Sequence, residues 1–373
     1  MKKAQVMAYY FPNWHPDARN DEWHGKGWTE WDVAKHATPR FEGHKMPKVP
    51  LWGYEDESDP KVMEKKIDAA ASHGVDGFIF DWYWFEDGSY RIKCLDNGFL
   101  KAANKDELKF AIMWDTTAPG HLHPSLKFEE QPWRFPGEIT VQAFFNATEH
   151  CIKNYFTQPN YLRKDGKLYI GFYRFDVLLK SFGGADGLKV VFDDFRRRTA
   201  AAGLGELYID MTVENIPHWE DDPEKSNELL KKCGVDCVST YCCPVIHREK
   251  FPEAGYPETV ENGILEFEKQ TKKTDLPYQV NVITSWDPSP RTVQSDVYGD
   301  YGYPYDWLIN DSTPELFEKF LRAAKEFIES DKSTGDTIGI YAWNEWTEGA
   351  YLEPDTQYGY GFLQAVKNVF GAE

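Results

Sequence analysis

The sequence predicts a (β/α)8 TIM barrel that occupies residues 1–373 as one domain with long βα loops. Three observations carry that expectation. Short β-rich runs alternate eight times with longer segments of helical period, the rhythm of parallel strands inside a ring of helices. Runs such as Gly77-Phe78-Ile79-Phe80 lack polar alternation, as strands buried on both faces do. The surplus length falls after the first, third and seventh strands, in Phe11–Asp59, Asp115–Ile139 and Ser285–Thr313. All three are βα loops, which rise over the face where barrel active sites lie.

The units follow in order. A strand at Gln5–Tyr10 leads to a helix at Pro60–His73, where Ser58-Asp59-Pro60 places a capping residue before proline at the first helical position. Strands at Gly77–Trp82, Lys109–Trp114 and Leu168–Tyr173 are followed by helices at Lys93–Lys105, Thr140–Phe156 and Leu188–Ala202. Strands at Leu207–Val213 and Cys237–Tyr241 precede helices at Pro223–Cys233 and Pro257–Lys273. The last two strands, Gln279–Thr284 and Thr337–Trp343, precede Pro314–Asp331, capped by Ser312-Thr313-Pro314-Glu315, and a closing helix at Gly359–Val369.

Composition narrows the partners. Hydrophobic residues make up 41% and aromatics 16%, enough rings to fill a core and still line a sugar platform. A net charge of -19 without clustered Lys and Arg argues against nucleic acid. No apolar run approaches the ~18 residues of a membrane span. Met1-Lys2-Lys3-Ala4 enters a strand at once, which leaves no room for a signal-peptide core. The expected location is cytoplasmic as written, or periplasmic or secreted if a leader has been removed. The six cysteines, Cys94, Cys151, Cys233, Cys237, Cys242 and Cys243, read as small core residues. Cys233-x-x-x-Cys237 lacks partner ligands, and His15 and His24 read as hydrogen-bonding or substrate-contacting groups. No metal and no cofactor is expected.

Chemistry concentrates at the eighth strand, Ile338-Gly339-Ile340-Tyr341-Ala342-Trp343-Asn344-Glu345-Trp346-Thr347-Glu348-Gly349. An apolar run opens into two indoles and two carboxylates. Glycosidic bond cleavage needs one carboxyl group to protonate the leaving oxygen and another to act across the sugar ring, so Glu345 and Glu348 are the expected catalytic pair. Trp343 and Trp346 offer faces to the sugar, and Asn344 can bond hydroxyls.

Other strand ends repeat the pattern of aromatic plus acid or amide. Expected glycan contacts are Tyr10, Asp81, Trp82, Trp84, Trp114, Asp115, Tyr173, Glu214 and Trp286, the lining of a pocket for a polyhydroxylated ligand. Arg174 either neutralises an acidic sugar or pairs with Asp176. In the first loop, Asn20-Asp21-Glu22-Trp23-His24-Gly25-Lys26-Gly27-Trp28-Thr29-Glu30-Trp31 adds Trp28 and Glu30 as contacts, although Thr29 and Glu30 also suit a helix cap.

Tyr9-Tyr10-Phe11-Pro12, the first-loop run and Trp343-Asn344-Glu345-Trp346-x-Glu348-Gly349 with Leu352-Glu353-Pro354 resemble the WbsX-like family, which is related to glycoside hydrolase family 99. The resemblance implies a barrel acting on glycans by retaining, metal-free chemistry on an α-mannoside-like linkage. It implies that Glu345 assists attack by the substrate's own 2-hydroxyl to give a 1,2-anhydro sugar, and that Glu348 is the acid and then the base. The chain departs from the family after the third strand, where Trp114-Asp115-Thr116-Thr117 replaces an Asn-Glu pair. Two rival expectations are a glycosyltransferase of surface-polysaccharide synthesis and a non-catalytic glycan-binding barrel. Neither a Gly-rich diphosphate loop after a strand nor an Asp-x-Asp motif supports the former.

Overall fold

The computed structural model describes residues 4–118, 136–242 and 250–371. Among them, eight parallel strands close into a barrel: β1 Gln5–Tyr10, β2 Gly77–Phe85, β3 Lys109–Trp114, β4 Lys167–Phe172, β5 Leu207–Thr212, β6 Cys237–Ser239, β7 Tyr278–Ile283 and β8 Thr337–Tyr341. Closure is made by β1, which pairs with β8 through Gln5↔Thr337 and with β2 through Met7↔Gly77. Their Val, Ile, Phe and Tyr side chains suit a pleated surface covered on both sides. Every strand keeps no more than one residue that is not buried, Tyr208 in β5 and Trp84 in β2 among them.

The outer helices begin where the caps predict. Asp59 accepts the Lys61 N–H at 2.8 Å ahead of Pro60, opening a helix over Pro60–Ser72, and Thr313 accepts the Leu316 N–H at 3.4 Å ahead of Pro314–Glu329. The helix expected at Lys93–Lys105 is different. It is a π turn at Cys94–Gly98 followed by 3-10 turns at Phe99–Lys101 and Lys105–Glu107. Asn97 and Gly98 are weak helix formers, and a Cβ on Gly98 would sit 2.1 Å from the Glu57 carbonyl. Close packing against that carbonyl has overridden the helical period.

Two features roof the barrel's C-terminal mouth. The second strand runs past Trp82 into a hairpin with Gly88–Tyr90, and the first loop folds into short helices at Ala18–His24 and Trp31–Lys35. A separate apolar cluster, which includes Phe11, Trp14, Trp31, Tyr83, Tyr90 and Trp346, locks both onto the end of β8. No helix among the described residues is long and apolar enough to cross a membrane.

Candidate active site

Beyond β8 the chain makes a tight ribbon, Asn344–Glu345 against Ala350–Tyr351, around the turn Trp346–Glu348. Gly349 closes it at φ +65°, and a Cβ there would lie 2.6 Å from that of Asp287. The turn is therefore tied to glycine. Its flanking residues are anchors. Asn344 accepts the Phe11 N–H at 2.8 Å and donates to the Phe11 carbonyl at 2.9 Å and to Glu57 at 3.0 Å. Trp346 stacks on Tyr351 with centroids 3.7 Å apart and donates to Glu353 at 2.7 Å. Glu57 and Glu353 both meet the buried Lys66.

Held by this frame, Glu345 and Glu348 share one guanidinium. Arg291 bonds Glu348 through Nη1, and its Nη2 lies 3.2 Å from Glu345 Oε2 and 3.3 Å from Glu30 Oε1. Glu348 also accepts from Tyr303 at 2.6 Å and from Tyr341. Glu30 accepts from Thr347 at 2.7 Å and from Asn13 at 2.5 Å, and Asn13 accepts from Asn20 at 2.8 Å. The polar run of the first loop thus braces the Trp346–Glu348 turn from behind.

These groups open into a cavity of about 300 Å³. Of the expected contacts, it brings together Asp81, Asp115, Tyr173, Trp286, Glu345 and Glu348. The others are placed elsewhere. Tyr10 points outward to Met63 and Lys66; Trp82 bonds Tyr155; Trp114 stacks on Phe144; and Trp343 packs on Phe78. Trp84 stacks against Trp82, and Trp28 stacks on His24. Asn344 and Trp346 are the anchors described above, and Glu30 lies behind Arg291. Glu214 accepts the N–H groups of Tyr241 and Cys242 at 2.7 and 2.9 Å, fixing the end of β6.

Strand alternation explains most of this division. Successive side chains face opposite ways, so Asp81 and Tyr83, and Met113 and Asp115, face the cavity while Trp82, Trp84 and Trp114 face out. That parity was readable. Arg291, Arg91 and Tyr303 also line the cavity and carry no local motif. Arg174 forks onto Asp176 at 2.9 and 2.8 Å.

Burial pushes Glu345 up to about 8; Arg291 opposes this and the Glu30 charge adds to it. Glu348 is raised by burial too, against Arg291 and the Tyr303 hydroxyl. Asp81 is raised well above the carboxylate range by burial and then by Glu345. Its Oδ2 accepts from Tyr241 at 2.7 Å, while its Oδ1 and the Trp286 Nε1 have no hydrogen-bond partner among the described residues. Those two atoms suit sugar hydroxyls.

Among the described residues no group of three or more His, Cys, Asp and Glu could hold a metal ion. Cys237 donates to Asp210 at 2.9 Å and Cys233 turns to the Ala185 carbonyl, while Cys243 lies outside the described residues. His15 is buried, and burial lowers it to about 4, so it is neutral near pH 7.

Eight parallel strands closed on themselves with helices between them define the fold as a TIM barrel. The GH99 endo-alpha-mannosidase from Bacteroides thetaiotaomicron superposes with a TM-score of 0.59 at 14% identity, covering 98% of this chain and 96% of that one. A protein described as glycoside hydrolase-like superposes with a TM-score of 0.59 at 15% identity, over 100% and 95% of the two chains. At such identities the likeness is one of fold. The chain belongs to the WbsX family: the family model Glyco_tran_WbsX, described as glycosyltransferase WbsX, matches residues 6–366. A relative named WxcX, from Xanthomonas campestris pv. campestris strain B100 and described as uncharacterized, is 25% identical over 383 residues. That match covers 98% of this chain and 49% of WxcX, so the chain spans about half the length of the curated relatives it matches.

Proposed function

We propose that this barrel is a retaining glycoside hydrolase acting on a poly- or oligosaccharide at an α-mannoside-like linkage. The observation that carries this reading is that Glu345 and Glu348, both buried, sit on one arginine in a cavity edged by aromatic rings. Burial keeps one proton on the pair. Glu345, with a single longer contact to Arg291 and the Glu30 charge behind it, is the better proton holder before substrate enters. Glu348, with donors from Arg291, Tyr303 and Tyr341, is the better anion.

Docking of a sugar 2-hydroxyl on Glu345 moves that shared proton to Glu348 without changing the charge of the pair. Glu345 then takes the 2-hydroxyl proton as O2 attacks the anomeric carbon, and Glu348 gives its proton to the departing oxygen. Water opens the resulting 1,2-anhydro sugar with Glu348 as base, while Glu345 returns its proton to O2. Two inversions leave the configuration retained. Trp286 and Asp81 hold the ring and its hydroxyls through the polar atoms that lack partners among the described residues.

The description of the family favours a second reading, transfer from an activated sugar to a glycan acceptor in the same cavity. One experiment separates the two. Wild type, Glu345→Gln and Glu348→Gln are incubated with mannose-containing and bacterial glycans, with and without nucleotide sugars, and product anomers are followed by NMR. Hydrolysis with retention, lost in both variants, supports the hydrolase. Product formed only with a nucleotide sugar supports the transferase, and binding without turnover in all three proteins supports a glycan-binding barrel.

A further inference from the structure

Three arginines line the cavity, and their partners differ. Arg291 holds three carboxylates and Arg174 is forked onto Asp176. Arg91 is 5% exposed, and among the described residues no carboxylate forms an ion pair with it. Its guanidinium lies among the rings of Phe11, Tyr83 and Tyr90, with its carbon 4.9, 4.8 and 4.5 Å from their centroids, and its Nε has no hydrogen-bond partner among the described residues. It donates a hydrogen bond to the Tyr90 hydroxyl and the Glu30 charge favours its cation, and rings over the guanidinium faces leave the rest of its N–H edge to meet the cavity.

A buried cation is costly unless an anion meets it. The backbone of Arg91 is also unusual. It sits at φ +57°, in the left-handed region that side chains other than Gly, Asn and Asp rarely occupy, directly after the Gly88–Tyr90 hairpin strand. The hairpin therefore holds this guanidinium at the cavity wall.

We propose that Arg91 receives the carboxylate of an acidic sugar, so that the glycan taken by this cavity carries a hexuronate or a similar carboxyl-bearing residue. The proposal rests on the glycan-cleaving reading above and names its substrate class. A planar carboxylate matches the guanidinium fork, which donates two parallel hydrogen bonds to it. The diphosphate of a nucleotide sugar brings more charge into a cavity that already holds Asp81, Asp115, Glu345 and Glu348. One negative charge beside Arg91 is balanced; several are not.

The test uses paired probes: oligomers of mannuronate, glucuronate and galacturonate, each beside its carboxyl-reduced counterpart, with UDP as a third probe. Affinities are measured by calorimetry for wild type, Arg91→Gln and Arg91→Lys. Wild type is expected to bind at least one uronate oligomer roughly 10- to 100-fold more tightly than its reduced partner, the range for a charge-assisted contact. Arg91→Gln should bring that ratio to about one and Arg91→Lys should leave it in between. A ratio within one protein does not depend on the folded fraction, so a poorly folding variant does not blur it. Equal binding of both partners by wild type, or a preference kept in Arg91→Gln, overturns the acidic-sugar proposal and leaves the glycan reading intact. UDP binding that alone depends on Arg91 overturns it in favour of a diphosphate. Failure to bind any oligomer removes both readings.

Discussion

Glu30 and Arg291, separated by 261 residues in the chain, meet at 3.3 Å with both side chains buried. Glu30 thereby sets the electrostatics of a carboxyl pair to which it contributes no atom. Its charge favours the protonated form of Glu345 and restrains the guanidinium that both catalytic candidates share. In Glu30→Gln the charge is gone, and Arg291 turns more fully to Glu345. Both effects lower the proton affinity of Glu345, so the alkaline limb of kcat/KM should move to lower pH, with kcat reduced and KM little changed. An unmoved limb would show that Glu30 is only a structural brace.

The wild-type profile follows from the same site. Burial lifts Glu345 to about 8, so below that pH the pair keeps its proton and has an acid to give. Above it the proton is lost and no carboxyl can protonate the leaving oxygen. kcat/KM, which reports the free enzyme, is expected to fall as pH rises through about 8. A rate still climbing at pH 9 would remove the shared proton from the mechanism.

Leaving-group chemistry separates the roles of the two glutamates. Each glutamine variant should lose about 10²- to 10⁴-fold on a natural glycan. A glycosyl fluoride needs no acid to depart. Glu348→Gln should recover most of its rate on that substrate, while Glu345→Gln should not, because the 2-hydroxyl then has no base. The opposite pattern would assign the acid to Glu345.

Lys66 is 1% exposed, contacts Glu57 and lies 2.6 Å from Glu353. Those carboxylates carry Asn344 and Trp346, on either side of Glu345. Lys66→Met leaves two buried carboxylates facing each other, and breaking a buried ion pair from one side costs about 3–5 kcal/mol. Denaturant unfolding should show that loss. The triple variant with Glu57→Gln and Glu353→Gln should recover much of it, since the uncompensated charge is then gone.

The barrel was legible because strands buried on both faces and helices buried on one leave different periods in the chain. All eight strands came within a few residues of their observed limits, and the Asp59 and Thr313 caps placed two helix starts. The segment after β2 was not legible. Its period is helical, but contact of Gly98 with the Glu57 carbonyl decides its shape, and no local pattern reports a neighbour 41 positions away in the chain (98 − 57).

At the site, the residue order already places carboxylates and rings together at the strand ends. Carboxylates next to rings at the ends of buried strands can be read one residue at a time. Strand parity separates those that face the cavity from those that face out, but only the fold decides that Trp343 and Trp346 serve as anchors, and that Arg291 joins Glu345 to Glu348 while Arg91 stands apart. The physical reason is range. Propensity and burial period act between near neighbours in sequence, whereas a charge is tuned by whatever the fold brings within a few ångströms, here from loops at both ends of the chain.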